Sequence, residues 1–438
     1  MDWLNFFESK TQQKHKFGRG INANISPNEE ELFNKSYEAF EKKDILNAYE
    51  YFLRSLENFS NKTSNFNITT QIKENKLNFE IYQGTARVIG YVTEDNLYAE
   101  VILTKKKSAH VALKRYILER NYQLTYAYYF SDETFIKLKL YFNNITMSPQ
   151  KIFFPIREMA LNADFDKEYV RNEFPDVVIE DIGHLTPIDE NELQIKYDFL
   201  HIWIDELREK INTFPSNDNA GMQSFALLYL LFKIDYLVVP KYNIYQKISK
   251  KVQEYFNDEN SLTEAKNEEL KDYIQELREM HYQEFSTNFY DAKYTFNPTE
   301  RTSHEEISIF ITESLSKIRW YKNNRYNQII PLLYKYIAFY ILYNYGIHPV
   351  TRSLLHMLVE IQNPSFFKKF DYNILYNEEK SSFSKKTIIS RIEEIISPYK
   401  SRYKLLKPFG EKLNFSTLNE FSNSFYLQLK DLNFENVS

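Results

Sequence analysis

The chain has 438 residues, 26% charged and 43% hydrophobic, with a formal net charge of -5, the composition of a folded protein with two or three domains and ample core. It has no cysteine, which excludes disulfides, thiolate metal centres, iron–sulfur clusters and cysteine nucleophiles. The acidic balance gives no global attraction to nucleic acid or anionic lipid, and 35 Tyr with 35 Phe against eight Gly assign much of the packing to aromatic rings.

At the N-terminus, an acidic residue at position 2 and no apolar run through Lys10 argue against a signal peptide. Lys10, Lys14, His15, Lys16 and Arg19, around Gly18 and Gly20, make a short basic segment expected as a solvated face or mobile arm. Next, Ser36, Ala39, Phe40, Asp44, Ile45, Ala48, Phe52, Ser55 and Leu56 resemble one tetratricopeptide unit. Ala48 and Ser55 take the small positions where two antiparallel helices approach, and Lys42-Lys43-Asp44 forms the turn. A single unit cannot bury its own faces. Two readings therefore stay open, a peptide-binding unit and a generic helical hairpin capping the domain that follows.

Residues 77–163 carry the clearest order. Apolar residues alternate with polar ones at Leu77, Phe79 and Ile81, at Leu97, Ala99, Val101 and Leu103, and at Ile136, Leu138, Leu140 and Phe142. This period of two predicts strands with one buried and one wetted face. Gly84, Gly90, Glu94-Asp95-Asn96 and Ser131-Asp132-Glu133 interrupt the runs, which predicts antiparallel hairpins. Ala109, Ala112, Leu113, Tyr116 and Ile117 then predict a helix with Ser108 as N-cap. A further strand is expected over residues 124–130. A second helical stripe, Ile152, Ile156, Met159, Ala160 and Ala163, has Ser148 and Pro149 in the cap and first-turn positions. Pro155 inside it should kink the helix or delay its start.

This order, with the stretch Tyr116-Ile117-Leu118-Glu119-Arg120-Asn121-Tyr122, the hairpin to Phe142 and the helix past Ile156, resembles the YbjN-like group. The fold of that group is similar to type III secretion chaperones. The resemblance spans about a quarter of the chain. It implies a compact α+β module that binds a segment of another protein, often as a dimer, and carries no chemistry of its own.

Beyond Asp164 the pattern turns polar up to Pro187, and Pro187-Ile188-Asp189-Glu190 suits a linker and helix entry. Helices follow: Leu200, Ile204, Leu207 and Ile211 share one face, Tyr273, Leu277 and Met280 another, Ile307, Ile311, Leu315 and Ile318 a third. The charged stretch 261–284 is expected to project as a solvated hairpin arm. Residues 220–240 and 329–345 are the most apolar, but Lys233 and Asp235 interrupt the first, and Pro331 and Lys335 the second. Both read as buried helices, not membrane spans.

Chemical motifs are few. His201 with Asp205, His281 with Glu284, and His356 with Glu360 stand one helical turn apart, the spacing an acid–base or metal pair needs. None is an H-E-x-x-H, and helix-surface ion pairs account for the same spacing. His304-Glu305-Glu306 after Ser303 reads as a helix N-terminus. G-x-G-x-x-G, G-x-x-x-x-G-K-[ST] and G-x-S-x-G are absent from the sequence. Arg319, Trp320 and Arg325 interleave cations with rings, as single-stranded nucleic-acid binders do and as ordinary helix ends also do. Lys105, Lys106, Lys107, Lys114 and Arg115 form a second basic patch at a strand-to-helix turn, which could steer an acidic partner.

The expectation is an α+β protein: a tetratricopeptide-like hairpin over residues 1–65, a chaperone-like domain with an antiparallel sheet and packed helices over 66–178, and a large all-helical domain over 179–438. Its expected work is non-enzymatic and cytoplasmic, holding a segment of a partner protein or peptide, with a homodimer allowed and with no cofactor or metal assigned. Lys105, Lys106, Lys107, Arg115, Arg319, Trp320 and Arg325 are the expected partner contacts. Competing readings are an enzyme built on the histidine–carboxylate pairs and single-stranded nucleic-acid binding.

Overall fold

Alternation in the sequence becomes a six-stranded antiparallel sheet in the computed structural model, which describes residues 15–18, 27–57, 66–215 and 219–434. The strands are β1 (Ile68–Lys73), β2 (Lys76–Gln83), β3 (Ala86–Val92), β4 (Asn96–Lys105), β5 (Tyr128–Ser131) and β6 (Phe135–Asn143). Their spatial order is β1-β2-β3-β4-β6-β5. Leu77, Ile81, Val88, Leu97, Ala99, Leu138 and Leu140, all without exposed surface, form the buried face. A 25-residue helix, α4 (Pro149–Glu173), lays Ile152, Ile156, Met159, Ala160 and Ala163 across it. Ser148 accepts from Lys151 N as its cap, and the helix runs unbroken through Pro155.

The helices α1 (Pro27–Glu41) and α2 (Ile45–Ser55) form the expected hairpin, closed where the Ser36 hydroxyl donates to the Ala48 carbonyl at 2.7 Å. Tyr49, Phe52 and Leu53 of α2 join the sheet core, so the hairpin caps the β1–β2 end. At the opposite end sits α3 (Val111–Gln123). Its Asn121 side chain accepts from Tyr129 N and donates to Tyr129 O, binding the edge strand β5 to the helix.

Several local expectations are corrected. His110, not Ser108, caps α3, because residues 106–108 tighten into a 3-10 turn that moves the start two residues on. Gly90 lies inside β3 and is no turn: a Cβ there would sit 2.2 Å from the Phe79 ring and 2.6 Å from the Tyr98 carbonyl. The fourth predicted strand begins at Tyr128 instead of residue 124, since Glu158 of α4 takes the backbone N–H groups of Thr125, Tyr126 and Ala127. No alternation announced β1, where Ile68 is buried but Ile72 is 42% exposed.

After α4 the chain is helical. Asp189 caps α5 (Glu190–Asn212) by accepting from Asn191 N and Glu192 N. Then come α6 (Ala220–Lys233), a π-turn (Ile234–Val238), α7 (Tyr242–Asn257), α8 (Thr263–Glu279), α9 (Tyr282–Ser286) and α10 (His304–Asn323). Last are α11 (Ile330–Asn344), α12 (Pro349–Gln362), α13 (Pro364–Lys369), the two-residue strands β7 (Tyr376–Asn377) and β8 (Ser382–Phe383), α14 (Lys385–Lys400) and α15 (Leu418–Lys430). The predicted stripes on α5, α8 and α10 pack into one aromatic-rich core, with Ile211 and Met280 only partly buried at its edge. Stretch 261–284 is therefore no projecting arm: Leu270, Tyr273, Ile274 and Leu277 of α8 pack into that core against α6. Among the described residues, Ala220–Val238 alone is long and apolar enough to cross a membrane, and 83% of its apolar window is buried inside the protein.

Several contacts join the halves, α4 against α7 among them. Residues 288–298 return to the sheet, where Gln83 accepts from Thr295 N and Phe296 N, and Phe296 completes the sheet core. Lys10, Lys14, Arg19 and Gly20 of the basic segment lie outside the described residues, but His15–Gly18 do not form a free arm. Phe17, 7% exposed, is ringed by His356, Phe366, Phe367, Phe370 and Tyr372, and His15 pairs with Glu192 at 2.7 Å.

Candidate functional site

With α4 on one side of the sheet, the alternate side chains of the same strands must point the other way. Register places them in rows. Asn78, Tyr91, Tyr98 and Tyr141 line up across β2, β3, β4 and β6. Beside them run Glu80, Ile89, Glu100, Lys139 and Tyr128, across five strands. A third, shorter row is Ile102, Lys137 and Phe130. Ile89, Tyr91, Tyr98, Ile102 and Phe130 are half-buried by one another and belong to neither core, while Tyr128 and Tyr141 are 43% and 52% exposed. This face carries rings and is open to solvent.

Its geometry is ordered. The Tyr91 and Tyr98 rings stack at 5.2 Å and 23°. Lys76 places its ammonium 3.5 Å above the Tyr91 ring, and Lys139 lies 5.1 Å from Tyr98 and 5.5 Å from Phe130, which is cation–π range. The carboxylates are occupied. Glu100 accepts from the Tyr98 hydroxyl at 2.6 Å and Lys137 at 3.0 Å, and Glu80 from Arg87 at 2.7 Å and the Tyr82 hydroxyl at 2.7 Å. Arg87 beside it holds the Glu80 carboxyl below the usual range. Two backbone N–H groups and Lys137 hold Asp132 down to about 2. Burial and the Glu100 carboxylate push the Tyr98 hydroxyl up, so it stays a neutral donor.

The residues singled out from sequence fall in two distant places. Lys105 is half-buried and pairs with Glu180 at 3.4 Å, Lys106 donates to the Asp132 carbonyl, and Lys107 and Arg115 are exposed. All four sit at the β4–α3 corner of the same sheet. Arg319, Trp320 and Arg325 lie in the helical body. Trp320, 55% exposed, stacks on Tyr326 and edges an open groove of 630 Å³ with Phe225, Glu313 and Tyr321.

The three histidine–carboxylate pairs do not converge. His201 bonds the Tyr197 carbonyl of its own helix, and Asp205 binds Arg278 instead. His281 is exposed at the start of α9. His356 is buried between the Tyr236 hydroxyl at 2.9 Å and Glu360 at 3.3 Å, and Glu360 is clamped by both Arg391 nitrogens. Burial pushes His356 down to about 4. Among the described residues no three His, Asp or Glu side chains gather as a metal site would need.

Sequence reading passed over Tyr91, Tyr98, Lys76 and Lys139. The available signal was the filling of the wetted half of each alternation with rings: Tyr98 and Ile102 on β4, Tyr141 on β6, Phe130 on β5. Compared with known proteins, the chain matches no family model and no curated protein.

Proposed function

We propose that this chain is a non-enzymatic binding protein, of chaperone or adaptor type, that holds a segment of a partner protein against the open face of its sheet. The single observation behind this reading is the ordered aromatic surface spanning β2, β3, β4, β6 and β5, packed against neither core. Tyrosine gives large contact area for little lost rotamer entropy, with a hydroxyl for adaptable hydrogen bonds. Glu80 and Glu100 have their cations already, whereas the contacts of Lys76 and Lys139 are rings. A segment alternating apolar with acidic side chains suits such a surface, and the basic corner at Lys105, Lys106, Lys107 and Arg115 would steer it. The likeness to chaperone-like α+β modules supports the same reading.

The same rings would stack on bases. However, Glu80 and Glu100 already take up Arg87 and Lys137, which leaves the face short of the unpaired cations that a phosphate backbone needs. Polypeptide is the better fit.

Affinity purification from the native host tests this. The wild-type chain should recover a protein that Tyr98→Ala/Lys139→Ala loses and that Arg319→Ala/Arg325→Ala retains. Recovery of no protein, or equal recovery by both variants, would overturn the proposal.

A further inference from the structure

Two arginines in this protein show how a guanidinium held against the core is ordinarily satisfied. Two nitrogens of Arg391 clamp Glu360, at 2.6 and 2.7 Å, and Arg120 pairs with Asp166 at 2.8 Å. Arg352, half-buried near the start of α12, has neutral partners instead. The Phe17 carbonyl accepts from its Nη2 at 3.5 Å, which is long for a hydrogen bond. The other partner is the Tyr236 hydroxyl, which also meets His356 Nδ1 at 2.9 Å. A guanidinium carries five N–H donors and keeps its proton at any ordinary pH. Two neutral acceptors therefore leave Arg352 with donors to spare and a charge without an anion, a costly state for a group taken partly out of water.

Arg352 lines a cavity of 220 Å³ where the two halves of the chain meet. The π-turn contributes Asp235 and Tyr236 to the walls, α7 contributes Ser249, the stretch after α9 contributes Asn297 and Thr299, and the end of α11 contributes Tyr345. Gly18 closes the side next to Arg352. Its φ is +69°, and a Cβ there would lie 2.7 Å from the Tyr236 ring and 3.6 Å from Arg352 Nη2. Gly18 N donates to the Tyr236 carbonyl at 2.8 Å, so the cavity is complete only while His15–Gly18 is seated. Of the lining residues, Arg352 is the cation and Asp235, 5% exposed, is the carboxylate. A planar guanidinium matches a carboxylate through two parallel N–H···O bonds. Asp235 suits a hydrogen-bond donor on the same ligand and disfavours a second negative charge, which argues against phosphate.

We propose that this cavity binds a small carboxylic acid bearing a hydroxyl or ammonium group. Arg352 takes the carboxylate, and Asp235 takes the donor. The site lies between the halves of the chain, apart from the open face of the sheet.

Isothermal titration of the full-length protein with serine and with glycerate, in both enantiomers, tests the proposal. The two acids differ only at the second carbon, which bears an ammonium in one and a hydroxyl in the other, and glycerol, without a carboxylate, is the control. At least one acid should bind with a Kd of about 1 mM or tighter, and the tighter one identifies the donor. Arg352→Lys keeps the charge but loses the fork, and should weaken binding by about tenfold to a hundredfold. Because Arg352 also holds the Phe17 carbonyl, Ser249→Leu is the second variant: it fills the cavity from α7, leaves Arg352 in place, and should abolish binding. Ligand at ten times its Kd should also slow trypsin cleavage after Lys16 by about tenfold, since Gly18 is part of the wall. Failure of both acids to bind, glycerol binding as tightly as they do, or undiminished binding by either variant would overturn the assignment.

Discussion

Replacing Gly84 by alanine should loosen the sheet from the body beneath it. Gly84 turns β2 into β3 with φ at +55°, and a Cβ there would lie 2.2 Å from Oδ1 of Asp164 on α4. That carboxylate accepts from Thr85 N at 2.7 Å and the Thr85 hydroxyl at 2.8 Å. Alanine in the left-handed region costs about 1–2 kcal/mol. Pushing the carboxyl group aside forfeits two hydrogen bonds, together worth about 1–3 kcal/mol. The sum, about 2–5 kcal/mol, corresponds to about one and a half to four decades in local opening, read as faster hydrogen exchange of β2 and β3 amides. Local exchange is the right measurement because a chain with two cores need not melt in one step. Gly183→Ala is the control: its Cβ would meet nothing within 4 Å, so the change should stay within about 0.5 kcal/mol. Wild-type exchange in Gly84→Ala, or equal damage from Gly183→Ala, would refute the reasoning.

Asp166 is fully buried and accepts from the Tyr116 hydroxyl at 2.6 Å, Arg120 Nε at 2.8 Å and the Tyr129 hydroxyl at 2.8 Å. Asp166→Ala strands those donors and should cost about 3–5 kcal/mol in urea unfolding of the sheet domain, with Asp166→Asn losing less. Burial depresses His356 from 6.5 to about 4 and His348 to about 3. Their neutral forms contribute stability that is complete above pH 6.5 and lost as pH falls through those folded values. For His356 this amounts to about 3 kcal/mol, and His356→Gln should flatten the melting-temperature profile between pH 6.5 and 4. Phe17→Ala empties the aromatic ring cage and should cost about 3 kcal/mol or more of docking for His15–Gly18. Trypsin cleavage after Lys16 should then accelerate by about two decades, and an unchanged rate would count against a seated segment.

The buried half of each central strand was legible because period two is imposed by packing on one side only. Leu77, Phe79 and Ile81 could sit nowhere else once α4 covered them. β1 escaped notice because an edge strand with one buried residue, Ile68, has no period to show. Cap identity was decided by a tertiary detail, the turn at residues 106–108, that Ser108 itself does not encode. The candidate face was half visible: alternation assigned Tyr98 and Tyr141 to the wetted side, but no run was read through Gly90, and only register shows that Tyr91 falls beside them. Lys233 was read as the charge that spoils a membrane span. That its ammonium lies 3.9 Å from the centre of the Trp203 ring could not be read, because the groups around a buried amine come from helices far away in the chain. Phe17, one ring in a basic run, carried no periodic signal at all.

The strap that brings Phe296 beneath the sheet bears on how the chain can be made. The last sheet strand ends at Asn143, but Gln83 waits for the backbone of Thr295 and Phe296 to fill its amide bonds. On the ribosome the sheet therefore emerges with an unplugged hole in its underside. It must stay so until α5, α6, α7, α8 and α9 have also left the exit tunnel, and termination anywhere before that point releases a domain with its aromatic cavity open.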